Sequence, residues 1–307
     1  MMKNPYVFIV GCPRSGTTLF RHIVDAHPKI TISPEAQWIP KWFERRKGLT
    51  PDGMVMPKVV PLLLEHSKFA LLDIGRGELE TLVGNGQPVS YASFVTGIFD
   101  LYGKARGKAL VGNKTPDYAR RMHTLHALWP DARFIHLIRD GRDVALSLMA
   151  WSRVSQKTPG TFPTWKDDPV STAALWWELN VRRGREAGRA LGPELYREIC
   201  YESLVTRPAE VCRAVCSFLG LPYDEAMLRF HENRTSLRPI TAGLRDWRTQ
   251  MPAEDVERFE AAAGALLDEL VYSRAFSHPR PDAVKHSTQV RNLLAKVPSS
   301  VRPYGLA

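Results

Sequence analysis

A glycine-bounded loop follows the first apolar run of the chain. Residues 6–10 read YVFIV and residues 11–18 read GCPRSGTT. Glycines let the backbone approach an anion closely, and the N-terminus of a following helix points free N–H groups at it. The arginine adds a planar charged fork, and the two threonines add hydroxyl donors. We therefore expect a phosphate-binding loop made by Arg14, Ser15, Gly16, Thr17 and Thr18.

The loop departs from the pattern of nucleoside triphosphate enzymes at one position. It resembles a Walker A motif, but Thr17 stands where that motif has lysine. The lysine contacts the β- and γ-phosphates, and the next hydroxyl residue holds Mg²⁺. Without it, a shorter phosphate group is favoured and no metal is expected. A glycine turn that merely joins a strand to a helix is the alternative.

A second group of anion-binding side chains lies about 125 residues further along the chain. Residues 133–138 predict a strand that ends in RDGRD, and Ser147 follows one turn into the next helix. Arg139 and Ser147 can grip one phosphate together. Because parallel sheets bind ligands at the carboxyl ends of their strands, both groups should lie on the same edge. For Arg142 and Asp143, salt bridges at a helix start are the simpler interpretation.

These two segments resemble the cofactor motifs of the PAPS-dependent sulfotransferases, where PAPS is 3′-phosphoadenosine-5′-phosphosulfate. Residues 13–18 resemble the 5′-phosphosulfate loop, in the arginine form found in protein-tyrosine sulfotransferases and many bacterial relatives. Arg139 and Ser147 match the pair that holds the 3′-phosphate. The resemblance spans roughly residues 5–275. It implies in-line transfer of a sulfuryl group from PAPS to a hydroxyl or amine, with 3′,5′-adenosine bisphosphate (PAP) as product.

Later segments resemble the family more weakly. Tyr201 opens the run YESLV, which is similar to the family's Tyr-Glu-x-Leu segment and is implied to contact the cofactor. Trp177 stands where relatives carry a tryptophan beside the adenine. Arg245 and Arg248 stand at the place of the C-terminal cofactor loop, but the Arg-Lys-Gly triplet of cytosolic members is absent. Whether either arginine contacts the 3′-phosphate is therefore open.

Sulfuryl transfer needs a general base within hydrogen-bond reach of the acceptor. Glu35 is the candidate, because it follows the short strand predicted over residues 30–32 and should emerge beside the phosphate loop. Members of the family with tyrosyl or glucosaminyl acceptors carry their catalytic glutamate in a matching position. Asp25 and His27 are nearby alternatives, and Glu35 could instead complement the dipole at a helix start.

Two cations are candidates for stabilising the charge of the transition state. Lys114 emerges at the end of the strand predicted over residues 109–112 and resembles the family's lysine that stabilises the leaving phosphate. A surface lysine is the alternative. Arg14 is expected to share this task by bridging the 5′-phosphate and the sulfuryl oxygens.

Composition limits the class of protein and its partners. The 307 residues are 44% hydrophobic and 24% charged, with a net charge of +10. The charge favours an anionic partner, although the basic residues are too scattered for a nucleic-acid stripe. No apolar run approaches the roughly 18 residues of a membrane span, and peripheral membrane contact stays open. The four cysteines show no metal or disulfide spacing, so we expect a cytoplasmic protein.

Strands alternate with helices along the chain, which predicts an α/β fold of the P-loop type: three layers, with a central parallel sheet flanked by helices. We expect one sulfotransferase domain over residues 1–277. Within it, 36–110 should be a largely helical insertion on the acceptor side, and 152–170 a lid loop or a disordered loop. Proline and basic residues from 278 to 307 predict a tail.

Two other functions compete with the sulfotransferase. A P-loop kinase for nucleotides or small molecules would need a Mg²⁺-triphosphate site, which the missing lysine disfavours. A non-catalytic anion-binding module would tolerate loss of Glu35 and Lys114. The acceptor (small molecule, carbohydrate, lipid or peptide) and the oligomeric state are not determined by the sequence.

Overall fold

Five parallel strands form the centre of the computed structural model, which describes residues 3–84, 86–155, 162–232, 239–241 and 245–296. The strands are β1 (Val7–Gly11), β2 (Ile30–Ser33), β3 (Leu110–Lys114), β4 (Arg133–Ile138) and β5 (Tyr196–Cys200). Their order in the sheet is β2-β3-β1-β4-β5, and every pairing is parallel. With helices on both faces, this is the predicted α/β fold.

The helices follow the strands as the alternation predicted. They are α1 (Thr17–Asp25), α2 (Ile39–Glu44), α3 (Val59–Leu64), α4 (Arg76–Val83), α5 (Tyr91–Lys104), α6 (Met122–Leu128), α7 (Gly141–Ser155), α8 (Pro169–Leu191), α9 (Tyr201–Thr206), α10 (Pro208–Leu219), α11 (Trp247–Gln250), α12 (Ala253–Glu269) and α13 (Pro281–Ala295). Short 3₁₀ turns cover Ala70–Leu72, Pro116–Arg120 and Glu225–Met227. Residues 36–110 are thus largely helical, whereas their place on the acceptor side stays a prediction, as does the single domain over 1–277.

Strand β1 is buried on both faces because its side chains alternate between two cores. Phe8 and Val10 pack into a core built with residues of the helical segment 36–110. Val7 and Ile9 pack on the other face, among residues of α1 and α10. A strand that is apolar on both faces belongs in the middle of a covered parallel sheet. The loop after β1 is therefore carried by the most enclosed strand of the fold.

The predicted tail is wrong for residues 281–295, which form α13. Val290 and Leu294 bury their side chains in the core shared with α8 and α12. Charged groups add to this contact: Arg280 pairs with Glu257 at 2.8 Å, and Arg291 with Glu178 at 2.8 Å. Because few apolar residues are involved, composition alone did not indicate the helix.

The predicted loop over 152–170 is also shorter than expected. Helix α7 continues to Ser155, and α8 begins at Pro169. The side chain of Asp168 accepts a hydrogen bond from the Ser171 N–H and so fixes the start of α8. Residues 156–161, the centre of the proposed lid, lie outside the described residues.

A buried ion cluster ties α12 to the end of β4. The guanidinium of Arg142 is fully buried, with Nη2 at 2.7 Å from Asp140 Oδ2 and Nη1 at 2.6 Å from Glu260 Oε1. Its face lies on the Trp247 ring, 3.6 Å from the centroid. Since a buried charge is costly unless it is paired, these partners hold the segment after β4 in one arrangement.

We expect Glu260→Gln to lower the free energy of unfolding by about 3 kcal/mol. This is the lower end of the range for a broken buried ion pair, because Asp140 still neutralises part of the charge of Arg142. Glu254→Gln is the matched control on the same helix, since its pair with Arg258 is exposed and should cost less than about 1 kcal/mol. Urea unfolding followed by tryptophan fluorescence measures both. Equal losses in the two variants would contradict a structural role for the cluster.

Candidate active site

The backbone of the phosphate loop adopts the left-handed conformation at two residues, one of which is glycine. Gly16 has φ +88°, and a Cβ there would lie 2.4 Å from the ring of Tyr201. Arg14 also lies in the left-handed region, with φ 75°. The Tyr201 ring therefore covers Gly16 directly, which brings α9 against the start of α1 and places Tyr201 at the loop. Its contact with the cofactor stays a prediction.

Polar groups at this loop lack protein partners, as an anion site requires. Ser15 Oγ is fully buried and has no hydrogen-bond partner among the described residues, and the same holds for Nε of Arg139. No side chain caps the N-terminus of α1. Because buried donors are normally paired, phosphate oxygens would complete this site. No group of three or more His, Cys, Asp or Glu side chains suited to a metal occurs in the part of the chain described.

The two predicted anion sites meet directly. Arg14 Nε donates to Ser147 Oγ at 3.2 Å. Arg139 lies over the Tyr201 ring, with 4.3 Å between its guanidinium carbon and the centroid. Burial, followed by the nearby positive charges of Arg245 and Arg139, lowers the pKa of Arg14. Three arginines therefore converge on one point, which favours a multiply charged anion.

The backbone of Arg139 is fixed by a buried tryptophan. Trp177 Nε1 donates to the Arg139 carbonyl at 3.1 Å, and its ring is fully buried. Gly141 makes room for that ring, because a Cβ there would lie 2.4 Å from it. Trp177 thus supports the second anion site from below, and the structure does not place its ring on the surface of the cleft.

The C-terminal segment reaches the same place through Asp143, a residue that we had interpreted only as a salt-bridge partner. Trp247 N donates to Asp143 Oδ1 at 2.9 Å, and Trp247 Nε1 donates to Asp140 Oδ2 at 3.1 Å. Arg245 then lies near Arg14, whereas Arg248 is exposed and lies over the Trp247 ring. Of the two arginines left open by the sequence, Arg245 is the one close to the cleft.

Glu35 and Lys114, the predicted base and leaving-group stabiliser, form an ion pair. Lys114 Nζ lies 2.8 Å from Glu35 Oε1 and 3.3 Å from Thr18 Oγ1. Asn113 holds the segment before Glu35, because its amide donates to Ser33 Oγ at 2.9 Å and to the Pro34 carbonyl at 2.8 Å. The pair is brought to the phosphate loop by the adjacent strands β2 and β3.

The alternative bases serve the fold. Asp25 Oδ1 accepts hydrogen bonds from Thr31 Oγ1 at 2.6 Å and from Ile32 N at 2.9 Å, which fixes the start of β2. His27 Nε2 lies 2.8 Å from the Pro222 carbonyl. Neither residue lines the cleft beside the phosphate loop.

These side chains enclose a cleft of about 260 Å³. Its lining includes seven predicted site residues, Arg14, Gly16, Thr17, Thr18, Glu35, Arg139 and Ser147. Of the other predicted residues, Lys114 contacts Thr18 and Glu35 of this lining, and Tyr201 packs on Gly16. Ser15 is buried within the loop. A larger cavity of about 490 Å³ between α8 and α13 is lined by none of the predicted residues. We therefore take the smaller cleft, which the candidate phosphate ligands line, as the candidate active site.

The fold and the cleft define an α/β protein that binds a phosphorylated ligand at the carboxyl ends of its strands. Residues 5–225 match the model of the sulfotransferase family. The nodulation protein NoeE of Sinorhizobium fredii is 30% identical over 302 residues, which cover 89% of this chain and 67% of that protein. Protein-tyrosine sulfotransferase 1 of Danio rerio is 25% identical over 303 residues, covering 91% and 76%.

A solved structure agrees at the level of the fold. The sulfotransferase domain from the curacin biosynthetic pathway superposes with a TM-score of 0.59 at 22% identity, over 89% of this chain and 99% of that domain. The chain belongs to the sulfotransferase family. The prediction of a PAPS-dependent sulfotransferase is thereby confirmed, and the donor PAPS and the product PAP come with the family. No helix of the described residues is long and apolar enough to cross a membrane.

We expect Gly16→Ala to destabilise the protein more than Gly107→Ala. Both glycines have positive φ, but a Cβ at Gly107 meets nothing within 4 Å, whereas one at Gly16 meets Tyr201. The strained backbone alone should cost about 1 kcal/mol at Gly107, and the clash should add about 1–2 kcal/mol at Gly16. Thermal unfolding measures both variants. If Tyr201→Ala did not reduce the loss caused by Gly16→Ala, the contact with that ring would not be its cause.

We expect Glu35→Gln to lower the pKa of Lys114 further. Burial lowers this pKa already, and the Glu35 carboxylate is the largest influence that opposes the shift. The pH dependence of the Lys114 signal in the NMR spectrum of ¹³C-methylated protein measures it. Glu44→Gln is the control, because Glu44 pairs with Arg121 instead. An unchanged titration in Glu35→Gln would show that the ion pair does not form in solution.

Proposed function

We propose that the cleft transfers the sulfuryl group of PAPS to a hydroxyl of an acceptor that binds beside Glu35. The observation that carries the proposal is the contact between Glu35, Lys114 and Thr18 at the mouth of the phosphate loop. A candidate base, a candidate stabiliser of the leaving group and a phosphate ligand then meet at one point, which transfer between two bound substrates requires.

We assign the two ends of PAPS to the two halves of the cradle. The 5′-phosphosulfate would lie on the phosphate loop, on the donors of Ser15, Gly16, Thr17 and Thr18. The 3′-phosphate would lie on Arg139 and Ser147, whose side chains are buried. Arg14 touches Ser147 and belongs to the phosphate loop, so it would lie between the two ends. Tyr201, which packs on both Gly16 and Arg139, would shape the contact with the nucleotide.

Bound PAPS supplies an activated sulfuryl group, and the protein positions the other participants. Glu35 Oε1 stays on Lys114. Among the hydrogen bonds of the described residues, Oε2 accepts from Gln37 Nε2 at 3.3 Å, and the Glu35 side chain is 29% exposed. Oε2 can therefore take the proton of an acceptor hydroxyl. Lys114 and Arg14 hold positive charge where negative charge develops on the donor side, which is the larger part of catalysis in such transfers.

The acceptor is proposed at the level of its reacting group. Several relatives are named protein-tyrosine sulfotransferases, so a tyrosyl peptide is the first acceptor to test. Small-molecule, carbohydrate and lipid hydroxyls are the others. A cytoplasmic location is supported by the four cysteines, all of which are free thiols.

Isothermal titration with PAP and, separately, with Mg²⁺-ATP tests the nucleotide site. We expect PAP to bind without metal, and Arg139→Ala to weaken it by at least about tenfold, because a buried charged contact to the 3′-phosphate is lost. Arg248→Ala is the control, since Arg248 is exposed and stacks away on Trp247. A preference for Mg²⁺-ATP would favour a kinase instead.

Turnover of PAPS with a tyrosyl peptide, a phenol and an oligosaccharide tests the catalytic roles in the same preparations. Glu35→Gln and Lys114→Met should each lose about 10²–10⁴-fold in rate, while the affinity for PAP in Glu35→Gln stays within about threefold of the wild type. Full activity in both variants would refute the two roles. Binding of PAP without transfer to any acceptor would support a non-catalytic module.

A further inference from the structure

Asp143 contacts Arg139 of the proposed 3′-phosphate site, although it is not a cation and does not line the cleft. It belongs to the first turn of α7, and its side chain is 12% exposed. Each carboxylate oxygen has a different partner: Oδ1 accepts from Trp247 N at 2.9 Å, and Oδ2 lies 3.3 Å from Arg139 Nη2. One buried carboxylate therefore contacts two of the three segments that bring arginines to the cleft.

The contact of Oδ1 fixes the segment that carries Arg245. Trp247 begins α11, and besides its N–H bond to Asp143 it gives its indole N–H to Asp140 and its ring to Arg142. Arg245 precedes it by two residues and lies close enough to Arg14 to lower the pKa of that guanidinium. Without Asp143, the N–H of Trp247 would lose its acceptor, and the segment would lose a hydrogen bond to α7.

The contact of Oδ2 competes with a phosphate. Arg139 offers Nη2 to Asp143, whereas its Nε has no partner among the described residues. A phosphate held by Arg139 and Ser147 would bring further negative charge beside the carboxylate. Two anions that share one guanidinium in a buried place raise the cost of keeping both charged.

The surroundings of Asp143 already favour its neutral form. Burial raises the pKa of Asp143 to about 6, and Asp140 adds to this, while Arg139 and the Trp247 N–H oppose it. From α9, the Tyr201 hydroxyl lies close enough to interact with Asp143 electrostatically. A further negative charge at Arg139 would therefore raise the pKa of Asp143 into the range of neutral pH.

We propose that Asp143 is a positioning residue of the 3′-phosphate site, which takes up a proton when that phosphate binds. The inference rests on the proposed function, since it needs a 3′-phosphate on Arg139. The proton comes from solvent and converts the carboxylate to the carboxylic acid. Oδ1 remains the acceptor for Trp247 N, and the protonated Oδ2 releases Arg139 Nη2, which can then donate to a phosphate oxygen.

The sign of the pH dependence follows from linkage. The free protein binds a proton at Asp143 only near pH 6 and below, and the complex binds it at higher pH. Affinity for PAP should therefore fall by up to about tenfold per pH unit as the pH rises from about 6. The fall should end where the pH exceeds the pKa of Asp143 in the complex with PAP. The phosphate of PAP, which titrates near pH 6, acts in the opposite direction, because its dianion binds better.

Isothermal titration of PAP between about pH 6 and about pH 8.5, in two buffers that differ in ionisation enthalpy, measures both affinity and proton uptake. The proteins are the wild type, Asp143→Asn, Asp143→Ala and the control Asp246→Asn. Asp246 is a partly exposed carboxylate that caps α11 and pairs with Arg248. A second ligand, 5′-AMP, lacks the 3′-phosphate.

Near pH 7, the wild type and Asp246→Asn should each take up about half a proton more when they bind PAP than when they bind 5′-AMP. Asp143→Asn, which resembles the protonated acid, should lose this uptake and bind PAP about three- to tenfold more tightly than the wild type near pH 8. Asp143→Ala, which also removes the acceptor for Trp247 N, should bind PAP at least about tenfold more weakly than Asp143→Asn. With 5′-AMP, the two variants should agree within about threefold.

Proton uptake that persists in Asp143→Asn would overturn the proposed titration, and equal affinities of the Asn and Ala variants for PAP would overturn the positioning role. Near-UV circular dichroism compares the packing of the tryptophans, and Asp143→Asn decides the titration even if the alanine variant does not fold. If the wild type fails to bind PAP at all, the proposed function falls, and this inference falls with it. Tight binding of PAP with no effect of Asp143 overturns the inference alone.

Discussion

Mutual repulsion between arginines is the constraint on which the site depends. Arg14, Arg139 and Arg245 converge on one cleft, and each must stay in place before an anion arrives to neutralise it. The protein meets this requirement with neighbours that hold single arginines: Ser147 accepts from Arg14, and Asp143 pairs with Arg139. Pre-formed positive sites of this kind need no rearrangement when the ligand binds, which favours both affinity and rate.

The order of the strands places the candidate site residues on both sides of β1 at one edge of the sheet. Strand β1 lies in the middle and carries the phosphate loop. On one side, β4 ends in Arg139, and on the other, β2 and β3 end beside Glu35 and Lys114. The candidate phosphate ligand Arg139 and the Glu35–Lys114 pair thus lie on opposite sides of one loop. Because parallel strands present all their carboxyl ends at the same edge, residues about 100 positions apart in the chain come within hydrogen-bond distance of each other.

The sequence predicted those parts of the structure that depend on local patterns. The strands, the phosphate loop and the positions of Arg139, Ser147, Glu35 and Lys114 follow from apolar runs and from the residues that end them. The roles of Asp143 and Trp177 could not be predicted, because both depend on contacts between distant segments. Helix α13 is not predicted for a related reason, since few of its residues are apolar and its polar partners, such as Glu178 and the Ala262 carbonyl, lie far away in the chain.

The attachment of α13 has a consequence for the behaviour of the fold in salt. Arg280 and Arg291 are about half exposed, and each reaches a carboxylate that is nearly buried. Pairs of this kind weaken as ions screen them, while the small apolar contact through Val290 and Leu294 does not. Helix α13 is therefore a unit whose local opening depends on ionic strength. Its departure would uncover Asp168, which fixes the start of α8, the helix whose Trp177 contacts Arg139.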